Sequence, residues 1–451
     1  MATDLPSAIE AAGLRPRYWV AFGLISLLLI CELFDYFIVG YLVSAIAPAW
    51  GLTFGQTAAM LLSAGVGAIF GALGGGRIAD RVGRKRVMLV AATLCCVGTG
   101  SLALIPEGSW LMFTALRFAV GVGYGACGAT QFALISEYTP RARRTLITSS
   151  MGIPAGLGLL LASSVVSILF EQLGWRGTAM LGFVPLLAVV AIAWWVPESP
   201  RWLIAVGRGD EATRVARTML DITATIDSPR VVAVAASSSA SLHEVLAQPR
   251  RFWLIVLIQI SLGSVLSGVL LWGPTIVAQL FGVSAREAAT YFVGVSISAL
   301  VGRMAFTWLP HRIGRVPSGM LVGFGGATAL LFAVLLRDSH WLGVPVFFLC
   351  LVVGQFFYDG GFSNLTTYAA ELYPVRLGAR ALGVSAAAAG VGKIMGPLVM
   401  GLIAGASNLV TPAVTQQAVV PAFLFLAACC ATVGLSYWLL GVETAHRAQE
   451  I

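Results

Sequence analysis

Residues 19–43 read WVAFGLISLLLICELFDYFIVGYLV. Apart from Glu32 and Asp35 the stretch carries no charge, and as a helix rising 1.5 Å per residue it is long enough to cross the ~30 Å hydrocarbon core of a bilayer. A carboxylate at the centre of such a helix costs roughly 2.5–3.5 kcal/mol on insertion scales. Two of them, three residues apart on one helix face, must therefore be offset by a partner or by a function.

Working outward, stretches of the same kind recur along the whole chain. Twelve are read, at about 19–43, 57–77, 87–105, 109–135, 146–170, 178–197, 252–281, 288–310, 317–337, 343–370, 379–406 and 416–441. The 451 residues are 58% hydrophobic and only 11% charged, with a mean hydropathy of +0.89. Soluble domains carry about 25% charged residues, so a soluble enzyme or binding module is excluded. The spacing predicts an all-α integral membrane protein whose main surrounding partner is the lipid bilayer. The first 17 residues hold Asp4, Pro6 and Glu10 and lack the basic, apolar and cleavage regions of a signal peptide.

The net charge of +8 does not imply a nucleic-acid partner, because it is concentrated in alternate loops, the others holding only the cations Arg176, Arg286 and Arg337. Arg77, Arg81, Arg84, Lys85 and Arg86 follow span 2; Arg141, Arg143 and Arg144 follow span 4. Arg312 and Arg315 follow span 8, and Arg376 and Arg380 follow span 10. Cytoplasmic loops carry such an excess, so both termini and the central stretch are expected in the cytoplasm, with the chain in a plasma membrane. All seven cysteines lie in apolar spans, and neither a disulfide framework, a metal site nor a cofactor is expected.

The polar stretch 198–250, with ASSSAS at 236–241 and a helix expected around 209–221, separates a first half (1–197) from a second (251–451). The halves repeat each other. Asp80-Arg81-Val82-Gly83-Arg84 after span 2 is matched by His311-Arg312-Ile313-Gly314-Arg315 after span 8, and Glu137-Tyr138-Thr139-Pro140 by Glu371-Leu372-Tyr373-Pro374, at offsets of 231 and 234 residues. Two six-helix repeats imply a secondary transporter with its site at the repeat interface, near mid-membrane.

Gly76-Arg77-Ile78-Ala79-Asp80-Arg81-Val82-Gly83-Arg84-Lys85 resembles the loop signature of the major facilitator superfamily, as Arg117 to Gly123 resembles its span-4 motif. Within that superfamily the chain is similar to bacterial aromatic acid/proton symporters. Trp50-Gly51-Leu52, Ser136 to Pro140 and Gly174-Trp175-Arg176 carry that likeness, while Pro197 to Arg201 and Tyr368 to Pro374 look closer to sugar-porter, niacin and synaptic-vesicle-type relatives. Glu32 and Leu33 stand where those symporters have Asp and Gly, and Lys393 where they have Arg. The resemblance implies twelve helices, alternating access, and import of a small organic acid with protons. A proton-antiporting exporter of drugs or organic ions is the alternative, since it shares the fold.

The site residues follow from polar groups inside apolar spans. Two carboxylates as close as Glu32 and Asp35 cannot both stay ionised at low cost in a low dielectric, so the pair is expected to hold a coupling proton; a plain helix–helix hydrogen bond is the bland reading. Arg117 is expected to pair with Asp35 or Glu32 and to belong to the substrate site, or else to snorkel. Lys393, a mid-span cation, fits an anionic cargo, with Asp359 as its partner in the empty site. Tyr124, Gln259, Trp272, Gln355, Tyr358 and Asn364 complete the expected lining. Arg303 is expected to snorkel. In the loops, Asp80, Arg81, Arg84, Glu137, Arg141 and Arg144, with Glu198 and Arg201 nearby, and Glu371, Arg312, Arg315, Arg376 and Arg380 in the second half, are expected to form ion-pair clusters that clamp the halves together and break as the cavity opens. The four histidines all lie outside the spans, and no nucleophile–base constellation is present, so no enzyme is expected. A monomer is expected.

Overall fold

Inside a bilayer every backbone N–H and C=O must be satisfied within the chain, and each long apolar stretch accordingly closes into a helix. The computed structural model describes residues 4–222 and 242–444; the ASSSAS run lies outside them. Span 1 is Pro16–Ala49, span 2 Phe54–Val82, span 3 Arg84–Ser101 with a further turn Leu102–Leu104, and span 4 Trp110–Tyr138. Spans 5 and 6 form one helical run, Gly152–Met180, continued by Leu186–Trp195 and broken at Gly174, whose φ of 60° and ψ of −175° only glycine adopts readily. Span 7 is Pro249–Ser267, a π turn Gly268–Trp272 and Gly273–Phe281. Spans 8 to 12 are Ala285–Trp308, Arg315–Leu335, Val346–Glu371, Val375–Ile403 and Pro412–Leu440. The twelve crossings of a two-repeat fold are therefore present. The expected start of span 5 near residue 146 falls instead in a separate helix, Arg141–Ser150.

The repeat goes deeper than the loop signatures. Span 2 starts with a capping box between Thr53 and Gln56, and span 8 with one between Ser284 and Glu287. Each box is preceded by a left-handed glycine (Gly51, φ 61°; Gly282, φ 64°), and the loops after these spans contain Gly83 (φ 113°) and Gly314 (φ 97°). All four correspondences fall at the same 231-residue offset.

Small residues let the helices approach. A Cβ on Gly67 would stand 2.1 Å from the Phe118 carbonyl oxygen, and one on Gly71 2.0 Å from that of Val122, so spans 2 and 4 touch backbone to backbone. Gly74 and Gly76 of the same helix meet nothing within 4 Å. Large apolar side chains such as Trp194, Val90, Leu111 and Leu335 remain exposed on the periphery, where lipid takes the place of a protein partner.

The basic loops, both described chain ends and the short helices of the central stretch share one face. Helix Leu5–Ala11 buries Leu5, Ala8 and Ile9 there, and Gly13–Leu14 pairs antiparallel with Leu220–Asp221. The expected helix around 209–221 is Gly209–Met219. The central stretch is shared between the halves: Leu242–Leu246 sits against the second half, where the Tyr373 hydroxyl donates to the Val245 carbonyl at 3.4 Å. At the opposite face the halves close on each other. Phe54 stacks on Trp272 with centroids 5.5 Å apart, Phe54 N–H donates to Asn408 O at 2.8 Å, and Arg286 pairs with Glu171 at 2.6 Å.

Candidate functional site: a buried charge cluster between the halves

Span 1 brings Glu32 and Asp35 into the protein interior, with 4% and 5% of their surface exposed, and aims them at different neighbours. Gln131 of span 4 donates to Glu32 Oε1 at 3.0 Å; Thr99 of span 3 donates to Asp35 Oδ2 at 2.7 Å. The other oxygen of each, Glu32 Oε2 and Asp35 Oδ1, has no partner among the described residues. Each carboxylate thus keeps one oxygen anchored and leaves the other without a partner among the described residues.

Arg117 is fully buried and does not snorkel. Nor does it make the expected ion pair with Asp35 or Glu32. Its Nη1 donates to the Asp35 backbone carbonyl at 3.3 Å and to Thr99 Oγ1 at 3.5 Å, while Nε and Nη2 are unpartnered. A hydroxyl stands between guanidinium and carboxylate. A narrow crevice lined by Glu32, Asp35, Tyr36, Cys95, Arg117 and Tyr124 connects these groups.

Lys393 of span 11 approaches from the other half, and its position corrects a second expectation. It does not pair with Asp359. Its Nζ lies 5.5 Å from the ring centroid of Tyr36 and 5.3 Å from that of Tyr124, within cation–π range, and the two rings stack at 5.2 Å. Asp359 belongs instead to Arg303, which grips it with Nε at 2.7 Å and Nη2 at 3.0 Å. Arg303, expected to snorkel, is thus half of an interior ion pair; its Nη1 also donates to the Gly152 carbonyl of span 5, across the halves, at 3.2 Å. Arg's planar fork explains the pairing: it meets a carboxylate with two bonds, which an ammonium cannot.

The remaining expected lining residues scatter. Gln259 bonds Ser385, Trp272 packs on Phe54 and donates to Pro397 O, and Asn364 donates to the Arg315 carbonyl near the basic face. Gln355 is fully buried with both side-chain polar atoms unpartnered, as is the Tyr358 hydroxyl.

Among the described residues these loop charges pair within each half. Arg84 pairs with Asp80 at 2.8 Å and Glu137 at 3.1 Å, and Arg315 with Glu371 at 2.8 Å, the same pair at the repeat-related place. Arg141 and Arg144 gather on Glu10 together with Arg201. Arg81 is exposed and has no ion pair among the described residues, Arg312 lies over Trp308, and the side chain of Arg376 lies outside the described residues. Glu198, placed with Arg201 by its proximity in sequence, instead accepts from Lys85 N–H at the start of span 3.

Thr99, Gln131, Tyr36, Glu10 and Glu443 are residues that sequence reasoning alone does not single out. Glu443 accepts from the N–H groups of Arg315 and Val316 as Glu198 accepts from Lys85. The matched pair Pro197-Glu198-Ser199 and Val442-Glu443-Thr444 is the signal that could have found it. Thr99 and Gln131 stand out only as polar residues in apolar spans, and nothing in a seven-residue helix marks Glu10.

Known proteins agree with this architecture. The profile described as Major Facilitator Superfamily matches residues 25–397. The chain is similar to the niacin transporter NiaP of Acinetobacter baylyi, 28% identical over 404 residues and covering 88% of this chain and 90% of that protein. It is also similar to the 4-hydroxybenzoate transporter PcaK of Pseudomonas aeruginosa, 29% identical over 400 residues and covering 85% of each. Among solved structures, the partially occluded inward-open xylose transporter XylE of E. coli superposes with a TM-score of 0.74 at 17% identity, over 96% of this chain and 100% of that one. With a family match over most of its length and the fold to go with it, this chain belongs to the Major Facilitator Superfamily and is a multi-pass membrane transporter, not an enzyme.

Proposed function

We propose that the chain is a proton-coupled symporter that imports a small organic carboxylate of the aromatic-acid kind across a bacterial inner membrane, with both termini in the cytoplasm. The observation that carries this reading is the setting of Lys393. It is a cation at mid-span, flanked by two stacked tyrosine rings, with no carboxylate within ion-pair distance among the described residues. An aromatic acid matches both features, its carboxylate meeting the ammonium and its ring meeting the tyrosines. Niacin and 4-hydroxybenzoate, which name two of the relatives, are acids of this kind. Glu32 and Asp35 supply the proton sites. With more than one proton per monocarboxylate, import gains about 2.3 kcal/mol per net charge for each 100 mV of inside-negative potential.

The test is binding to purified Lys393 variants. Lys393→Met is expected to lose about 2–3 kcal/mol of affinity for nicotinate or 4-hydroxybenzoate, the scale of a charge-assisted hydrogen bond, and much less for the matching neutral amide. Lys393→Arg keeps the charge and is expected to retain measurable binding. Equal losses for acid and amide would remove the anion from the reading.

A further inference from the structure

The substrate cation and the proton carboxylates of that reading lie in different halves of the molecule. Lys393 is in span 11, Glu32 and Asp35 in span 1, and no hydrogen bond or ion pair joins them among the described residues. Symport nevertheless requires that loading of one be felt by the other, because a ligand shifts an equilibrium only through a difference in interaction free energy.

Tyr36 occupies the ground between. It follows Asp35 directly on span 1, so any shift of the Asp35 backbone, which already accepts a bond from Arg117, moves it as well. Its ring is one of the two that Lys393 rests over. It lines the same crevice as Arg117, Asp35 and Glu32. It is 5% exposed, and among the described residues its hydroxyl has no partner, like Arg117 Nε and Nη2.

Packing does not account for that hydroxyl. A buried polar group left unpaired is costly, and Phe would fill the same space without the penalty. A tyrosine kept there with an idle hydroxyl, beside an arginine with idle donors, fits a group whose partner changes during the working cycle. Tyr124 shares the stack, Lys393 and the crevice, but it belongs to span 4 and does not adjoin Asp35 in the chain.

We propose that Tyr36 is the positioning residue that couples the two sites, passing the state of Lys393 to the Arg117–Thr99–Asp35 relay through its ring and its hydroxyl. An anion arriving on Lys393 cancels the charge held against the ring and draws the ammonium off it. The phenol is then free to turn its hydroxyl toward Arg117 or Asp35. Turned toward Asp35, the hydroxyl oxygen accepts from the protonated carboxyl and so favours its taking up a proton. Substrate and proton thereby load together. The inference rests on the symport reading above, but its test does not depend on the cargo.

The measurement is a double-mutant cycle on the purified, detergent-solubilised full chain, with no substrate added. The pH profile of thermal unfolding is recorded for wild type, Lys393→Met, Tyr36→Phe and the double variant. Lys393→Met is expected to displace the profile along the pH axis in the wild-type background, and by less than half as much in the Tyr36→Phe background. Equal displacement in both backgrounds, or none in either, overturns the coupling. In proteoliposomes the same Tyr36→Phe variant, which keeps the ring that meets the substrate and loses only the hydroxyl, is expected to bind 4-hydroxybenzoate within a few-fold of wild type yet to accumulate it at least tenfold less under an acid-outside gradient. Loss of binding in proportion to accumulation would make the hydroxyl a substrate contact and overturn its coupling role. If wild type itself binds none of the aromatic acids, the cargo assignment fails while the cycle still decides the role of Tyr36.

Discussion

Side chains in this interior are paired by shape as much as by charge. Arg303 and Asp359 meet in a two-bond fork with only 18% and 1% of their side chains exposed. Removing one partner of a buried pair strands the other charge, at roughly 3–5 kcal/mol. Asp359→Asn is therefore expected to lower the thermal stability of the purified protein sharply. The double change Arg303→Met, Asp359→Leu should recover most of the loss, which a melting experiment on the three proteins will show. The sequence makes each of these residues visible as a polar group in an apolar span, yet it does not reveal which cation takes which anion. Lys393 and Arg303 are both mid-chain cations on apolar helices, and only the packed backbone decides which of them meets Asp359.

At the scale of elements, the capping boxes of spans 2 and 8 and the acids that cap spans 3 and 9 give the helices their ends. Glu10 adds a different kind of contact. From a helix of seven residues it reaches Arg201 at 2.6 Å, Arg144 at 3.3 Å and Arg141 at 3.6 Å, and it accepts the Arg141 N–H at 2.6 Å. Partial burial alone would raise its pKa, but the bonds from Arg201 and Arg141 and the charges of Arg201 and Arg144 outweigh it and hold the carboxyl below its usual range. A carboxyl lowered in the folded state stabilises fully above its unfolded value, and the contribution fades as pH falls through the folded one. Glu10→Gln is accordingly expected to cost roughly 1.5–3 kcal/mol at neutral pH, the scale of hydrogen bonds to a charged group. The gap in melting temperature from wild type should narrow below about pH 4.5. A gap independent of pH would mean that Glu10 acts by shape alone. Glu10 is not legible in the sequence because its partners lie more than 130 residues away.

For the whole molecule, apolar length, the placement of arginines in alternate loops and the 231-residue offset make the twelve-helix, two-repeat plan readable from the chain alone. These signals are local or periodic, and bilayer thickness admits few alternatives. The arrangement of the loop charges is less readable. Their repeated signatures lead one to expect a cluster in each half that clamps the halves in one conformation; the described pairs lie inside those clusters, while the opposite face is closed by Phe54 on Trp272 and Arg286 on Glu171. Which face is closed is a property of the conformation, and a sequence common to every conformation does not specify one of them. The coupling role proposed for Glu32 and Asp35 belongs at this scale, since it concerns the cycle as a whole. Its most direct test is accumulation of 4-hydroxybenzoate or nicotinate in proteoliposomes with an acid-outside gradient, for wild type, Glu32→Gln and Asp35→Asn. Wild type is predicted to concentrate the acid, both variants to fail to concentrate it, and at least one of them to keep exchanging substrate across the membrane. Accumulation at the wild-type level in both variants would contradict the account.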